Sequence, residues 1–205
     1  MMVFLVDDDA AVRKALTRLI KSAGYQVQSF GSAREFLDSH VAVAETACLV
    51  LDIRMPGLSG MDLQNELHKT NAILPIIFIT GHGDIPTSVK AMKAGAVDFL
   101  PKPVKDKDLL QAIEQALARA AIDRGRLAES QDIQRRLETL TPREREVMEL
   151  VVTGMLNKQV AHQLGTVEKT IKVHRARVME KMEVNSLAEL VRLTEKIGLP
   201  KKNAQ

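Results

Sequence analysis

The sequence predicts two halves of different fold class: an α/β half with five parallel strands doubly wound in the order 2-1-3-4-5, then an all-α half. Three observations carry this. Five short apolar runs alternate with helix-period segments as far as about residue 121. From about residue 140 onward every apolar pattern has helical spacing. The stretch between, from Asp106 to about Leu137, contains no proline and a single glycine, Gly125.

The five runs are Val3–Val6, Val27–Phe30, Cys48–Leu51, Ile76–Ile79 and Val97–Leu100. Their β-branched content and turn-like flanks predict buried strands. The helical patterns between them are Ala11–Ser22 stopped by Gly24, Ala33–Ser39, Met61–Lys69, Pro86–Ala94 stopped by Gly95, and a last one starting near Asp106. In that last helix Leu109, Ile113, Leu117 and Ala121 keep one apolar stripe, after which the segment becomes charged and rich in Ala and Gln. It is predicted to continue as a linker helix, with Gly125 as the point of any bend. Thr141-Pro142 restarts the pattern, with Thr141 as N-cap, Pro142 at the first helical position and Glu144 completing a capping box. Further helices are predicted over Pro142–Val152, Asn157–Leu164, Val167–Met182 and Ser186–Lys196, and Lys201–Gln205 as a frayed tail. The resulting division is a first domain over 1–121, a helical linker over 122–138 and a second domain over 139–200.

Composition narrows the class. Of 205 residues, 45% are apolar and 27% charged, as in soluble globular proteins. The 3% aromatic content leaves the cores to Ala, Val, Leu, Ile and Met. The lone Cys48 lies in an apolar run and is expected to be a buried thiol in a reducing cytoplasm. No apolar run reaches the ~18–20 residues of a membrane span, and the start runs directly into a strand and then acids, so neither membrane association nor a signal peptide is expected. The net charge of +3 is uneven: residues 1–122 hold 13 Lys/Arg against 14 Asp/Glu, residues 123–205 hold 16 against 12. That asymmetry suggests a half with an acidic site and a half that meets a polyanion.

The conspicuous polar residues of the first half sit where apolar runs end: Asp7, Asp8 and Asp9 after the first, Asp52 after the third, Thr80 after the fourth, Lys102 after the fifth. In a parallel sheet these ends face the same way, so the side chains converge on one crevice. Converging carboxylates repel unless a cation joins them, and Mg²⁺ suits carboxylates, waters and a phosphate oxygen. Aspartate is a nucleophile that forms aspartyl-phosphate, a lysine neutralises a phosphoryl group, and a threonine hydroxyl can hydrogen-bond one of its oxygens. No glycine-rich phosphate loop with a following lysine is present, which argues against nucleotide binding. Taken singly, these residues have plainer readings: an acidic triplet as a solvated turn, Asp52 before Met55-Pro56-Gly57 as a turn-former. Asp9 is read as the N-cap of the first helix.

The segments VFLVDDDAAVRKAL, LVLDIRMPGLSG, IIFITGHGD and AGAVDFLPKP resemble the four signature blocks of two-component receiver domains, over residues 3 to about 120. The resemblance implies that Asp52 is the phosphoacceptor. It implies that the carboxylates of Asp8 and Asp52 and the backbone carbonyl of Arg54 bind Mg²⁺, with Asp7 in support. Lys102 would contact the phosphoryl group, Thr80 and Phe99 would form a switch pair, and Lys102-Pro103 would be cis. By composition alone Phe99 is a core residue.

In the second half, LTPREREVMELVVTGMLNKQVAHQLGTVEKTIKVHRARVMEKM resembles the LuxR/FixJ type of helix-turn-helix, from about Leu140 to Leu193. The third helix would enter the major groove of double-stranded promoter DNA. On its wheel Ile171, Val178 and Met182 face Val160, Leu164 and Val147, while Lys169, Lys172, Val173 and Ala176 recur outward. Lys172 is a candidate donor to guanine, and Val173 and Ala176 candidates for thymine methyls. Lys158, Lys169, Thr170, His174, Arg175 and Arg177 are candidates for phosphate. The pattern departs from the family at Thr166-Val167, where an apolar residue followed by Ser is usual, so Thr166 is expected to cap one residue early.

The function implied is a response regulator, not an enzyme. A sensor histidine kinase phosphorylates Asp52, the surface of helix 84–94, strand 97–100 and helix 106–121 changes, and the chain dimerises or is released from inhibition. It then binds promoter DNA and acts with RNA polymerase. Three rivals stand beside it: an Asp-nucleophile phosphatase of the haloacid-dehalogenase type, disfavoured because Arg54 occupies the acid/base position; a receiver that signals through protein partners; and a constitutive DNA binder. Arg54 and His82 beside the site bear on the lifetime of the phosphoryl group.

Overall fold

The computed structural model describes residues 1–39, 46–70, 72–81 and 85–198; His82, Asp84 and the Lys201–Gln205 tail lie outside the described residues. The chain separates into two compact units, residues 1–125 and 126–205.

In the first unit five parallel strands are ordered β2-β1-β3-β4-β5: β1 Met2–Val6, β2 Gln26–Phe30, β3 Ala47–Asp52, β4 Ile76–Thr80 and β5 Asp98–Pro101. The helices between them are α1 Ala10–Ser22, α2 Ala33–Asp38, α3 Gly60–Lys69 and α4 Ile85–Lys93. Strand alternation separates two cores. Phe4, Val6, Leu49, Leu51 and Phe78 point to the face covered by Phe36, Leu63 and Ala91 of α2, α3 and α4. Val3, Leu5, Cys48, Val50, Ile77 and Ile79 point to the other, covered by Leu16 and Ile20 of α1 and by Leu109, Ile113 and Leu117 of α5 (Asp106–Glu138). The central strands are buried on both faces, as parallel sheets require.

β2 departs from the expectation of a buried strand. Only Phe30 of Gln26–Phe30 is buried, because β2 is the sheet edge and pairs with β1 alone. The Asp9 carboxylate accepts from the backbone N–H groups of Ala11 (2.7 Å) and Val12 (3.2 Å), the N-cap role expected of it.

α5 runs through Gly125 without interruption. In the second unit it is followed by α6 Pro142–Val151, α7 Asn157–Gln163, α8 Glu168–Lys181 and α9 Leu187–Lys196. The Thr141–Glu144 capping box forms: Thr141 Oγ1 accepts from the Glu144 N–H and Glu144 Oε2 accepts from the Thr141 N–H. The N-cap of α8 is Val167, not Thr166, and no side chain caps that helix. The inner face of α8 divides between two clusters. Ile171 packs with Val147 and Val160, as expected. Val178 and Met182 instead pack with Met148, Leu190 and the α5 residues Ile133 and Leu137. No helix among the described residues is long and apolar enough to cross a membrane.

Candidate functional site

Because β1, β3, β4 and β5 are parallel, their carboxyl ends open onto one crevice. Asp7 directly follows β1, Asp52 is the last residue of β3, Thr80 the last of β4, and Lys102 follows β5. Cα register locks them together: Asp52 lies opposite Ile79 and Thr80 opposite Pro101, and the Lys102 N–H donates to the Thr80 carbonyl at 2.7 Å. Lys102-Pro103 is cis.

The carboxylates of Asp7, Asp8 and Asp52 each offer an oxygen within 4.8 Å of the others. Asp7 is fully buried, Asp52 nearly so, and Asp8 is exposed. The Lys102 ammonium sits between the two buried acids, donating to Asp7 Oδ2 at 2.6 Å and Asp52 Oδ2 at 2.5 Å. The other oxygens are also held: Asp7 Oδ1 accepts from the Asp9 N–H at 2.8 Å and Asp52 Oδ1 from the Arg54 N–H at 3.1 Å. Burial pushes the Asp7 carboxyl up from its ordinary value, against the opposing pull of Lys102 and the Asp9 N–H. Burial pulls the Lys102 ammonium down, but its bonds to Asp52 and Asp7 outweigh this and its pKa is raised. Asp7 carries the larger desolvation cost because it lies wholly out of water, whereas the Lys102 side chain keeps 21% of its surface exposed.

Three converging carboxylates, two of them paired to Lys102, fit a hard, oxygen-seeking dication. Asp8 and Asp52 would hold such an ion from the open side, where Asp8 is exposed. Lys102 contacts the two acids here, where the sequence reading assigned it to a phosphoryl group; the positions are compatible, since Asp52 is the residue that would carry that group. Thr80 is buried. Phe99 is half-buried against the core on the α2–α4 face, in register with Phe78.

Two contributors escape sequence reasoning. Gly60 opens α3, and a Cβ there would collide with the Asp52 carbonyl oxygen and come within 3.0 Å of the Ile53 Cα. Glycine alone lets α3 start against the end of β3. The Ser59-Gly60 pair before a helical run was the available signal. Arg13 donates to the Asp7 carbonyl at 2.6 Å, and nothing in its helical surroundings marks it.

In the second unit, Lys158, Lys169, Lys172, Val173, Ala176 and Arg177 are exposed. Thr170, His174 and Arg175 are half-buried: Arg175 donates to Asn157 Oδ1 at 3.1 Å, and His174 Nδ1 is enclosed without a partner. Lys172 pairs with Glu168 one turn back at 3.2 Å, largely in solvent, where such a pair contributes little.

Comparison with known proteins agrees in both halves. Residues 3–114 match the response regulator receiver domain, and residues 138–194 match the bacterial regulatory proteins of the luxR family. Nodulation protein W of Bradyrhizobium diazoefficiens is 52% identical over 198 residues, covering 97% of this chain and 87% of that protein. The transcriptional regulatory protein FixJ of the same organism is 45% identical over 197 residues, covering 96% of each. Among solved structures, the response regulator StyR superposes with a TM-score of 0.83 at 48% identity, covering 95% of this chain and 98% of that one.

Proposed function

The chain belongs to the response regulators that join a receiver domain to a LuxR-type DNA-binding domain, a family of phosphorylation-dependent transcription regulators, and from that premise we propose roles for its residues. Asp52 is the phosphoacceptor. One of its oxygens attacks the phosphorus of a phosphohistidine on a sensor histidine kinase; an O–P bond forms, the P–N bond breaks, and the imidazole leaves with the electron pair. Asp52 is held for this by the Arg54 N–H, and Lys102 is placed to transfer its hydrogen bonds from the carboxylate to the incoming phosphoryl oxygens. Asp8, Asp52 and the Arg54 carbonyl, with Asp7 in support, would hold Mg²⁺, which would supply neutralising charge to the phosphoryl group. The Thr80 hydroxyl then bonds a phosphoryl oxygen, and Phe99 follows it inward. This alters the surface formed by α4, β5 and the start of α5, where Val89 and Met92 are exposed apolar residues suited to association between two copies.

The dimer presents two α8 helices to half-sites in adjacent major grooves. Lys172, Val173 and Ala176 face base edges, while Lys158, Lys169, Thr170, His174, Arg175 and Arg177 serve the phosphates. We place the receiver over 1–121, the linker helix over 122–138 and the DNA-binding domain over 139–200. The protein acts in the cytoplasm with RNA polymerase and does not turn over phosphate esters. The observation that supports this reading best is the convergence of Asp7, Asp8 and Asp52 at the strand ends, with Lys102 joining Asp7 to Asp52. The experiment is footprinting on promoter DNA with and without acetyl phosphate and Mg²⁺, in parallel with Asp52→Asn. Protection should strengthen with phospho-donor in the native chain only; full-stoichiometry labelling of Asp52→Asn would remove the assignment.

A further inference from the structure

The two ends of α8 are treated very differently. At its N-terminal end the N-cap is Val167, 65% exposed, with no side-chain cap. At its C-terminal end the chain turns through Glu183, the one non-glycine residue with positive φ (53°) among the described residues. The Val184 N–H closes that turn on the Met179 carbonyl at 3.0 Å. Glycine normally occupies this position because a Cβ disfavours the left-handed conformation. Here a second structural feature holds the turn. Arg136, near the end of α5, donates to the Met182 carbonyl at 3.1 Å and pairs with the Glu183 carboxylate at 3.2 Å, while Asp132 steadies the same guanidinium at 2.6 Å. At the last residue of α8, Lys181 donates to the Thr139 carbonyl at 2.9 Å and to the buried Glu144 at 2.7 Å. Beneath these polar contacts Ile133 and Leu137 of α5 pack with Val178 and Met182 of α8.

We propose that Arg136 and Lys181 are positioning residues for DNA recognition: they fix the C-terminal end of α8 to the end of α5 and the start of α6, and thereby set the angle at which its outward face meets the bases. This rests on reading α8 as the helix that enters the major groove. The segment of α5 that sequence pattern marks as a linker helix is then part of the reading apparatus. Both cations are committed to protein acceptors on the inner side of α8, away from the outward Lys169–Lys172–Ala176 face, so they act through the helix and not on the phosphates. A long lever held at its rear alters its tip most when the rear contact is cut, and Lys172 and Val173 lie two to three turns forward of Met182.

The test is Arg136→Met in the full chain, phosphorylated with acetyl phosphate and Mg²⁺. Affinity is measured on the footprinted site over a salt series, with the binding-competent fraction fixed by stoichiometric titration. Affinity should fall about tenfold, the scale of a lost charge-assisted hydrogen bond, with the salt slope unchanged because no phosphate contact is lost. Adding Lys172→Ala to Arg136→Met should cost less than Lys172→Ala alone, since the displaced helix has already lost that contact. Arg136→Lys, which keeps a donor, should recover part of the affinity. Native affinity in Arg136→Met, a reduced salt slope, or full additivity with Lys172→Ala would each overturn the proposal. Lys181→Met provides the same test should Arg136→Met not fold. If neither variant folds, the contacts serve stability and the proposal fails. Absence of DNA binding by the native chain would instead refute the underlying reading of α8.

Discussion

Replacing Lys102 by Met tests the charge balance of the acidic site. The ammonium is the cation that the structure places between Asp7 and Asp52, at 2.6 and 2.5 Å, and both side chains are nearly sealed from water. Without it, carboxylate oxygens no more than 4.8 Å apart face one another. At an effective dielectric of about 20 that repulsion is about 3 kcal/mol, and removing one partner of a buried ion pair costs about 3–5 kcal/mol. The lower figure is the better expectation, because Lys102 is partly exposed and Asp7 can relieve the repulsion by taking up a proton. In a unit of this size the loss corresponds to a melting temperature lower by roughly 10 °C at neutral pH.

The pH dependence has a definite sign. Burial already raises the Asp7 pKa, so the folded state binds more protons there than the unfolded chain does. Its contribution to stability therefore falls as pH rises from the ordinary carboxylate value through the raised one. Losing Lys102 removes an opposing pull and widens that window. The deficit of Lys102→Met should be largest above it and shrink on acidification. Mg²⁺ should also stabilise the variant more than the native chain, since it meets no resident ammonium. Thermal melts of both chains in chelator and in Mg²⁺, at pH 7.5 and pH 5, read all three effects. Equal melting temperatures in chelator, or an equal gain from Mg²⁺, would refute the charge-balance reasoning.

The Glu144 carboxyl is held down to about 2, first by the Lys181 hydrogen bond and then by the Thr141 N–H. A depressed folded pKa stabilises above the ordinary value of 4.5, and that stability is lost as pH falls toward 2; Glu144→Gln should cost about 2 kcal/mol at pH 7, with the gap closing over that interval in urea titrations. Burial pushes the Cys48 thiol up to about 12, so an aromatic disulfide reagent at pH 8 should leave it untouched in the native chain and titrate one thiol in denaturant; rapid native labelling would contradict the packing. Lys172→Ala should relax base preference at one half-site position by about 1–3 kcal/mol, whereas Lys158→Ala should weaken all sequences alike and lower the salt slope by about 0.9; the reverse pattern in binding assays would exchange their roles.

Much of the first unit was legible because a parallel sheet is a strong constraint. Once five runs alternate with helices, the polar residues at their ends must converge, and Asp7, Asp52, Thr80 and Lys102 do. Phe99 was ambiguous for a physical reason: a half-buried aromatic has the same sequence signature whether it only packs or also moves. β2 was misjudged because Val27–Phe30 looks like any interior strand, while edge position depends on which partners the other strands take. Gly60 was missed because its requirement comes from a backbone oxygen eight residues earlier. The division of the α8 core was missed because Ile133 and Leu137 are isolated apolar residues in a charged stretch, and spacing alone cannot say what a two-residue stripe meets.

Gly60 makes a different kind of residue visible. It has no proton to give, no charge and no ligand atom, and a survey of chemistry at the site would pass over it. Yet every possible replacement, alanine included, adds the one carbon that its approach to Asp52 leaves no room for. No single-nucleotide change that alters the amino acid at this codon escapes that collision. A saturation library selected for signalling should therefore find position 60 as intolerant as position 52, the proposed phosphoacceptor, with a diagnostic difference: its failures lie in how the chain is built, and they should ease at low temperature, whereas those at Asp52 should not.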